Sequence, residues 1–147
     1  MANYYGYTRT NHFSVTNPDK LREIVRRIRW DEGELSFMSE EGGRFCFGAY
    51  TTICGLRKCP DDAESESGDD DDDEYDADGV YDALREIVAP DDAIIITEVG
   101  YEKLRYLTGY AVIITRNSID CVDLRDAAIT KARAMLQNPA YTTKNEY

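Results

Sequence analysis

The sequence predicts an α+β fold, in which one mostly antiparallel sheet carries helices packed on one face. Helical periodicity recurs in three segments, and runs of β-branched and aromatic residues lie between them. The similar stretches DKLREIV (19–25) and DALREIV (82–88) each precede two strand-like segments separated by turn residues. We therefore expect duplicated αββ units within a single domain of residues 1–147, because a chain of this length usually forms one domain.

One or two strands in residues 4–15 precede the first unit. A helix then starts at Asn17-Pro18, since Asn caps a helix well and Pro suits its first position. Its apolar stripe has the helical spacing i, i+3, i+4, i+7 and consists of Leu21, Ile24, Val25 and Ile28. After an acidic turn, the segments 34–43 and 44–53 predict two strands.

The second unit starts with a helix at about 79–89, which ends before Pro90 because proline disfavours helical geometry in the preceding residue. The uninterrupted β-branched run Ala93–Thr97 predicts a central strand buried on both faces. Gly100-Tyr101 is typical of a hairpin turn, and 103–115 predicts the next strand.

The chain continues with a strand at 119–124 and a third helix at about 124–137. Asn138-Pro139 ends this helix. Its expected buried side is formed by Ala128, Ile129, Ala132, Met135 and Leu136.

The charge of the chain is concentrated in residues 61–78, the acidic insert. This segment contains 12 of the 29 acidic residues and no basic residue, so the remaining 17 acids balance the 17 bases. Blocks of like charge resist packing, and we expect a disordered loop between the two units. Such a loop can compete with nucleic acid for a basic partner, or it can serve solubility alone. The candidate partner-binding residues are Asp69, Asp70, Asp71, Asp72, Asp73, Glu74, Asp76 and Asp78.

The first helix offers an alternative site. Arg22, Arg26 and Arg29 share one face if the helix continues through residue 29, and such a face could follow a phosphate backbone. This alternative predicts a nucleic-acid-binding regulator. The same face could instead meet the acidic insert or solvent, and the balanced charge outside the insert is unlike the basic excess of most nucleic-acid-binding domains.

The sequence predicts no catalytic residue, metal or cofactor. His12 is the only histidine, it lies in a predicted strand, and no serine is surrounded by a nucleophile motif. Cys54 and Cys59 form a single C-x4-C pair, whereas structural zinc sites usually need two such pairs. The cations Arg57 and Lys58 are expected to lower the pKa of these thiols. The other two cysteines are expected in the core, and they are Cys46 and Cys121.

Tyrosine is abundant, with 11 residues in the chain. Tyrosine is enriched at protein interfaces, but it also packs well across ordinary strands. A cluster of tyrosines on one sheet face would favour a binding surface. The tyrosines expected in or beside strands are Tyr4, Tyr5, Tyr7, Tyr50, Tyr101, Tyr106 and Tyr110.

The remaining composition indicates a cytoplasmic, reduced protein. No apolar run approaches the length that spans a bilayer, and the N-terminal MANYYGYTRT lacks the features of a secretory signal. Four cysteines are too few for a disulfide scaffold in a chain of this length.

Four stretches carry a resemblance to a group of small acidic accessory proteins, with no assigned function, of conjugative elements, plasmids and phages of gut Firmicutes. They are YTRTNHFSV (7–15), FGAYTTICG (47–55), DDAIIITEVGYEKLRYLTGYAVIIT (91–115) and MLQNP (135–139), together with the last residue, Tyr147. The resemblance implies a mobile genetic element, where accessory proteins include antirestriction and anti-CRISPR inhibitors, regulators and transfer factors.

These observations together predict a non-enzymatic protein that binds a protein partner. The aromatic residues of the sheet and the acidic insert would make the contacts. The partner would be a host or element-encoded protein, and a basic nucleic-acid-binding enzyme suits the charge of the insert.

Overall fold

The computed structural model describes residues 4–57, 77–103 and 106–143. The elements found there are, in chain order, β1 (Tyr5–Thr10), α1 (Pro18–Arg27), β2 (Ile28–Trp30), β3 (Phe37–Glu41), β4 (Arg44–Ala49), β5 (Ile53–Leu56), α2 (Asp78–Ile87), β6 (Ile94–Glu102), β7 (Tyr106–Ile114), β8 (Ile119–Asp123) and α3 (Leu124–Leu136).

Six of the strands form one sheet in the order β3-β4-β1-β6-β7-β8. Every neighbouring pair in it is antiparallel. Strands β2 and β5 form a separate antiparallel pair. The predicted α+β class with a mostly antiparallel sheet is confirmed.

The two faces of the six-stranded sheet differ because side chains alternate along each strand. On β1 the buried residues Gly6, Thr8 and Thr10 alternate with the exposed residues Tyr5, Tyr7 and Arg9. On β6 the buried residues Ile94, Ile96 and Glu98 alternate in the same way with exposed neighbours. We call the buried side the inner face and the exposed side the outer face.

Helices α1 and α2 cover the inner face and form the core with it. Leu21 and Ile24 of α1, and Leu84 of α2, are fully buried in one cluster with Phe47 of β4 and Ile114 of β7. Asn17 caps α1 as expected, with its side chain accepting a hydrogen bond from the Lys20 amide at 3.1 Å. The core therefore lies between two helices and one side of the sheet.

The predicted extent of the first helix is wrong at its C-terminal end. Helix α1 ends at Arg27, and Ile28 has extended backbone with a ψ of 127°. Ile28 and Trp30 are buried on either side of the half-buried Arg29 as β2 pairs with β5. From Ile28 onward, burial therefore alternates from one residue to the next, as in a strand, because the backbone of Ile28 pairs with that of Leu56 in β5.

The prediction that all helices pack on one face is wrong for α3. None of its residues is buried, although its N- and C-terminal turns are well formed. Met135 and Leu136, expected in the core, are 76% and 58% exposed. The inner face is already covered by α1 and α2, and α3 follows the edge strand β8 away from them.

The expected repeat has only a coarse counterpart. Each of α1 and α2 precedes a hairpin, and the hairpins β3–β4 and β6–β7 flank β1. The two units also differ at their glycines, because Gly42 lies in a turn with a φ of 61° whereas Gly100 lies within β6. The predicted turn at Gly100-Tyr101 is wrong, since β6 continues to Glu102.

Candidate protein-binding face

The outer face of the sheet is rich in apolar side chains, and neither α1 nor α2 covers it. Neighbouring strands present aromatic and aliphatic side chains there, each at least one-third exposed. They are Phe37 on β3, Tyr5 and Tyr7 on β1, Ile95, Val99 and Tyr101 on β6, Leu107 on β7 and Val122 on β8.

The tyrosines of this face are held by strand register. Tyr5 of β1 lies directly opposite Tyr101 of β6, and their ring centroids are 5.6 Å apart. Tyr7 lies opposite Val99 and contacts Tyr50 edge to face, with centroids 5.9 Å apart. Tyr50 follows β4 and is 82% exposed. Four tyrosines therefore form one continuous group.

Two glycines let larger side chains lie flat on the outer face. The ring of Phe37 lies across Gly48, where a Cβ atom would be 2.6 Å from Cε1 of that ring. The Arg9 guanidinium lies 5.8 Å from the Phe37 ring centroid. Leu124, the first residue of α3, lies over Gly109, with Cδ2 3.3 Å from the position of a Cβ atom.

Charged side chains are few on this surface. The outer-face positions of the central strands β6 and β7 are all uncharged, and they are Ile95, Thr97, Val99, Tyr101, Leu107, Gly109, Ala111 and Ile113. Arg9 lies on β1 opposite Thr97 of β6, Glu41 and Arg44 pair at one end of β3 and β4, and Asp120 lies on the edge strand β8. An apolar centre with a polar rim is the usual anatomy of a protein interface.

The size of the patch also sets it apart from an ordinary surface. Aromatic side chains bury about 150–250 Å² each, so the five partly exposed rings contribute on the order of 500 Å². That area matches the largest patches of typical monomers before any aliphatic residue is added, and such patches commonly mark binding sites.

The inner face of β6 holds a buried carboxyl group, on the side of the strand opposite its outer-face residues. Glu98 lies between Thr8 of β1 and Tyr110 of β7, and only 7% of its surface is exposed. Burial raises the pKa of Glu98 to about 7.

The neighbouring pair Gly6 and Gly100 leaves room for the Tyr4 ring, whose hydroxyl is 2.6 Å from that of Thr108. Tyr4 and Tyr110 thus belong to the inner face.

The expected activation of the C-x4-C thiols is wrong for Cys54. Burial and the nearby Asp31 carboxylate raise the pKa of Cys54, and its thiol donates to Asp31 Oδ1 at 3.7 Å. Cys59 lies outside the described residues. Cys46 is buried as expected, whereas Cys121 is exposed.

Most of the acidic insert lies outside the described residues. This holds for Asp69, Asp70, Asp71, Asp72, Asp73, Glu74 and Asp76. Asp78 is exposed in the first turn of α2, where its negative charge interacts favourably with the helix dipole and stabilises the helix. At the other end, Arg57 is bound to the end of α1, because its amide donates to the Arg27 carbonyl at 2.7 Å and its carbonyl accepts from Arg27 Nε at 2.7 Å. Both anchors lie in the layer that covers the inner face.

The three arginines of the alternative site do not share a helical face. Arg29 belongs to β2, beyond the end of α1. Arg22 forms ion pairs with Asp19 at 3.2 Å and Glu40 at 3.4 Å. Arg26 is exposed. The predicted i, i+4, i+7 arrangement is wrong because the helix stops before its third member.

The described residues offer no cluster for metal chemistry. His12 is exposed, and no group of three or more His, Cys, Asp or Glu side chains converges in the described ranges. Across the same ranges, none of the helices combines the length and the apolar character needed to cross a membrane.

Comparisons of the chain with protein-family models, curated proteins and solved structures gave no match.

The outer face was visible in the sequence only in part. The strand tyrosines indicated a binding surface if they shared a face, which four of the seven candidates do: Tyr5, Tyr7, Tyr50 and Tyr101. The side chain of Tyr106 lies outside the described part of the chain. Val99, Leu107 and Val122 were missed, although their alternation with inner-face residues was a usable signal. The run Ala93–Thr97 was predicted to be buried on both faces, but Ile95 is 36% exposed because the outer face is bare.

Proposed function

We propose that this chain is a non-enzymatic accessory protein that binds a protein partner through the outer face of its sheet. The observation that carries the proposal is the continuous tyrosine group beside an uncharged centre on β6 and β7. Tyrosine supplies large contact area at a low entropy cost and keeps a hydroxyl for hydrogen bonding. These properties suit a partner surface with its own apolar centre.

The resemblance supports the setting of this proposal. In it, the protein acts in the cytoplasm on behalf of a mobile element and inhibits a host defence or nucleic-acid enzyme, in the manner of anti-CRISPR or antirestriction proteins. The acidic insert then occupies the basic surface that the enzyme uses for nucleic acid. Attraction between such opposite charges weakens as salt increases.

The insert can reach a partner seated on the outer face even though its anchors lie on the other side of the sheet. The 19 residues 58–76 separate Arg57 from Ala77. A chain of that length extends about 60 Å, so a loop fixed at both ends reaches about 30 Å from its anchors. The outer face supplies the shape-specific contact, and the insert supplies long-range attraction.

Affinity capture with matched variants tests the outer face. Leu107 and Leu136 are similarly exposed, at 64% and 58%, but only Leu107 lies on the outer face. Leu107→Lys should abolish capture of the partner, whereas Leu136→Lys should retain it. The captured protein is then purified and its affinity for each variant measured by calorimetry. Equal affinity for the two variants would remove the outer face from the proposal.

The role of the insert is tested by exchanging Asp69–Asp73 for asparagine. This change keeps chain length and leaves α2 intact, whereas a deletion of 61–78 would remove the first residue of that helix. Affinity for the purified partner should fall most at low salt, and the wild-type chain should displace DNA or RNA from the partner. Unchanged affinity at every salt concentration would exclude the insert. Direct binding of nucleic acid by the asparagine variant would favour the regulator alternative instead.

We also propose that the two helix–hairpin units are duplicated αββ modules. The shared LREIV of 21–25 and 84–88 supports this, as do the contact between α1 and α2 and the placement of one hairpin on each side of β1. The short pair β2–β5 would then be a later elaboration of the first unit. Separate expression of residues 77–143 tests the idea, since a module of independent origin should retain the β6–β7 hairpin by NMR.

A further inference from the structure

Helix α3 is well formed at both ends but buries no side chain. The Asp123 carboxylate accepts hydrogen bonds from the amides of Arg125 at 2.9 Å and Asp126 at 3.2 Å. At the other end, Gln137 adopts the left-handed conformation with a φ of 52°, and Arg133 Nε donates to the Tyr141 carbonyl at 2.8 Å. Both ends of the helix are thus well defined, although none of its side chains is buried.

One side of α3 carries exposed apolar side chains, with Arg125 lying between Ala132 and Leu136. Leu124, Ala128, Ala132, Met135 and Leu136 follow the helical spacing i, i+4, i+8, i+11 and i+12. A helix of 13 residues is marginal in water without tertiary packing. The exposed stripe therefore needs an apolar surface against which to pack.

The outer face needs a covering layer in the same way. Helices α1 and α2 cover the inner face only, and Leu124 is the point where α3 meets the outer face, over Gly109. Beyond Leu124, α3 leaves Val99, Tyr101 and Leu107 exposed. Each chain therefore carries one exposed apolar sheet face and one helix whose leucine and methionine side chains are exposed.

We propose that two copies of this chain associate by exchanging these surfaces, with α3 of each copy packed on the outer face of the other. The dimensions agree, because a helix of 13 residues is about 20 Å long and four neighbouring strands span about 15–20 Å. An exchange of this kind gives a closed twofold dimer, since the same two patches meet twice. The dimer would cover the outer face that the proposed function assigns to the partner, and it would thereby regulate access of the partner to that face. This regulatory role rests on the proposed function.

The charge of the chain predicts how salt affects the dimer. Outside the acidic insert each copy is formally neutral, with 17 acids and 17 bases, and the outer-face positions of β6 and β7 carry no charge, so the inserts dominate the repulsion between copies. The two inserts carry 12 acids each and repel one another. Screening by salt reduces that repulsion, and the dimer should tighten as salt rises. A complex with a basic partner should respond in the opposite direction.

Sedimentation equilibrium of the full chain, at low and at high salt, tests the exchange. The expected result is a monomer–dimer equilibrium that shifts toward the dimer at high salt. Leu136→Lys should weaken the dimer by about tenfold or more, as loss of an interface anchor does. Lysine at this position suits the end of a helix, so the fold should persist. Thr130→Lys lies on the opposite side of α3 and is the matched control.

The outcomes separate this proposal from the proposed function. Leu107→Lys should weaken the dimer and abolish partner capture, whereas Leu136→Lys should weaken the dimer by about tenfold or more and leave partner capture intact. A chain that stays monomeric at all concentrations, or a dimer equally weakened by Thr130→Lys and Leu136→Lys, would overturn the exchange. Either result would leave the partner-binding face to be decided by the capture experiment.

Discussion

Gly6 of β1 and Gly100 of β6 lie directly opposite each other, and the space that two side chains would fill is occupied by the ring of Tyr4 together with the methyl group of Thr52. The Tyr4 hydroxyl then reaches Thr108 on β7 at 2.6 Å. Tyr4, the residue before β1, therefore lies across the inner face of β6 and β7. The two glycines have a packing role, because neither has a positive φ.

Gly100→Ala should destabilise the protein by about 1–3 kcal/mol, the usual cost of overpacking. The new Cβ atom would lie 2.8 Å from the Tyr5 carbonyl oxygen, and a backbone atom cannot move aside as a side chain can. Gly79→Ala in α2 is the control, since its Cβ atom meets only Leu56 at 3.7 Å, and alanine should stabilise that helix by about 0.5–1 kcal/mol. Urea unfolding measures both. Equal stability of the two variants would contradict the close approach at Gly100.

Glu98 should make the protein less stable as pH rises toward neutrality. Burial raises its pKa from 4.5 to about 7 in the folded state. Below pH 4.5 the group is protonated in both states. Between pH 4.5 and 7 the unfolded chain ionises while the folded protein stays protonated, so the free energy of unfolding declines. Above pH 7 the decline ends.

Glu98→Gln removes this titration and keeps the size of the side chain. Its melting temperature should exceed that of the wild type at pH 8, and the difference should vanish near pH 4. Thermal unfolding followed by circular dichroism across this range is the measurement. A constant difference at all pH values would show that folding does not raise the pKa of Glu98.

Two leucine truncations compare a packed helix with an unpacked one. Leu84→Ala in α2 should cost about 2–5 kcal/mol, because Leu84 is fully buried in the core. Leu136→Ala in α3 removes the same atoms from a side chain that is 58% exposed, and should change the stability of the monomer by less than about 0.5 kcal/mol. Urea unfolding at low protein concentration measures this contrast. A large effect of Leu136→Ala there would mean that α3 packs within its own chain.

Asp123→Ala should loosen the start of α3 without unfolding the core. The lost acceptor leaves the Arg125 and Asp126 amides unpaired, and caps of this kind contribute about 1 kcal/mol. Asp123→Asn keeps an acceptor and should retain most of the effect. Hydrogen exchange of the two amides is the readout, and it should be faster in the alanine variant alone. Equal exchange in both variants would argue that the side chain does not cap the helix.

Local patterns were sufficient for most of the elements. The start of α1 followed from Asn17-Pro18, and the end of α2 followed from Pro90. The wrong predictions concern residues whose local sequence suits two different structures. Ile28 suits both a helical stripe and a strand, and only the pairing with Leu56 of β5 decides for the strand. Gly100 suits both a hairpin turn and a tightly packed strand, and only the ring of Tyr4 shows which of these applies.

The candidate site was harder to predict because it depends on which faces are covered. The sequence alone determined the helices, the strand-rich remainder, the confinement of excess negative charge to 61–78 and the surplus of tyrosine. The tertiary structure alone decided that Tyr5, Tyr7 and Tyr101 share a bare face, since that follows from strand order and from α1 and α2 lying on the same side. Periodicity gives each strand two faces and each helix an apolar stripe, but the partner of each face is set by contacts between residues far apart in the chain. The exposed stripe of α3 has the same origin, because the inner face that it could have covered was already filled.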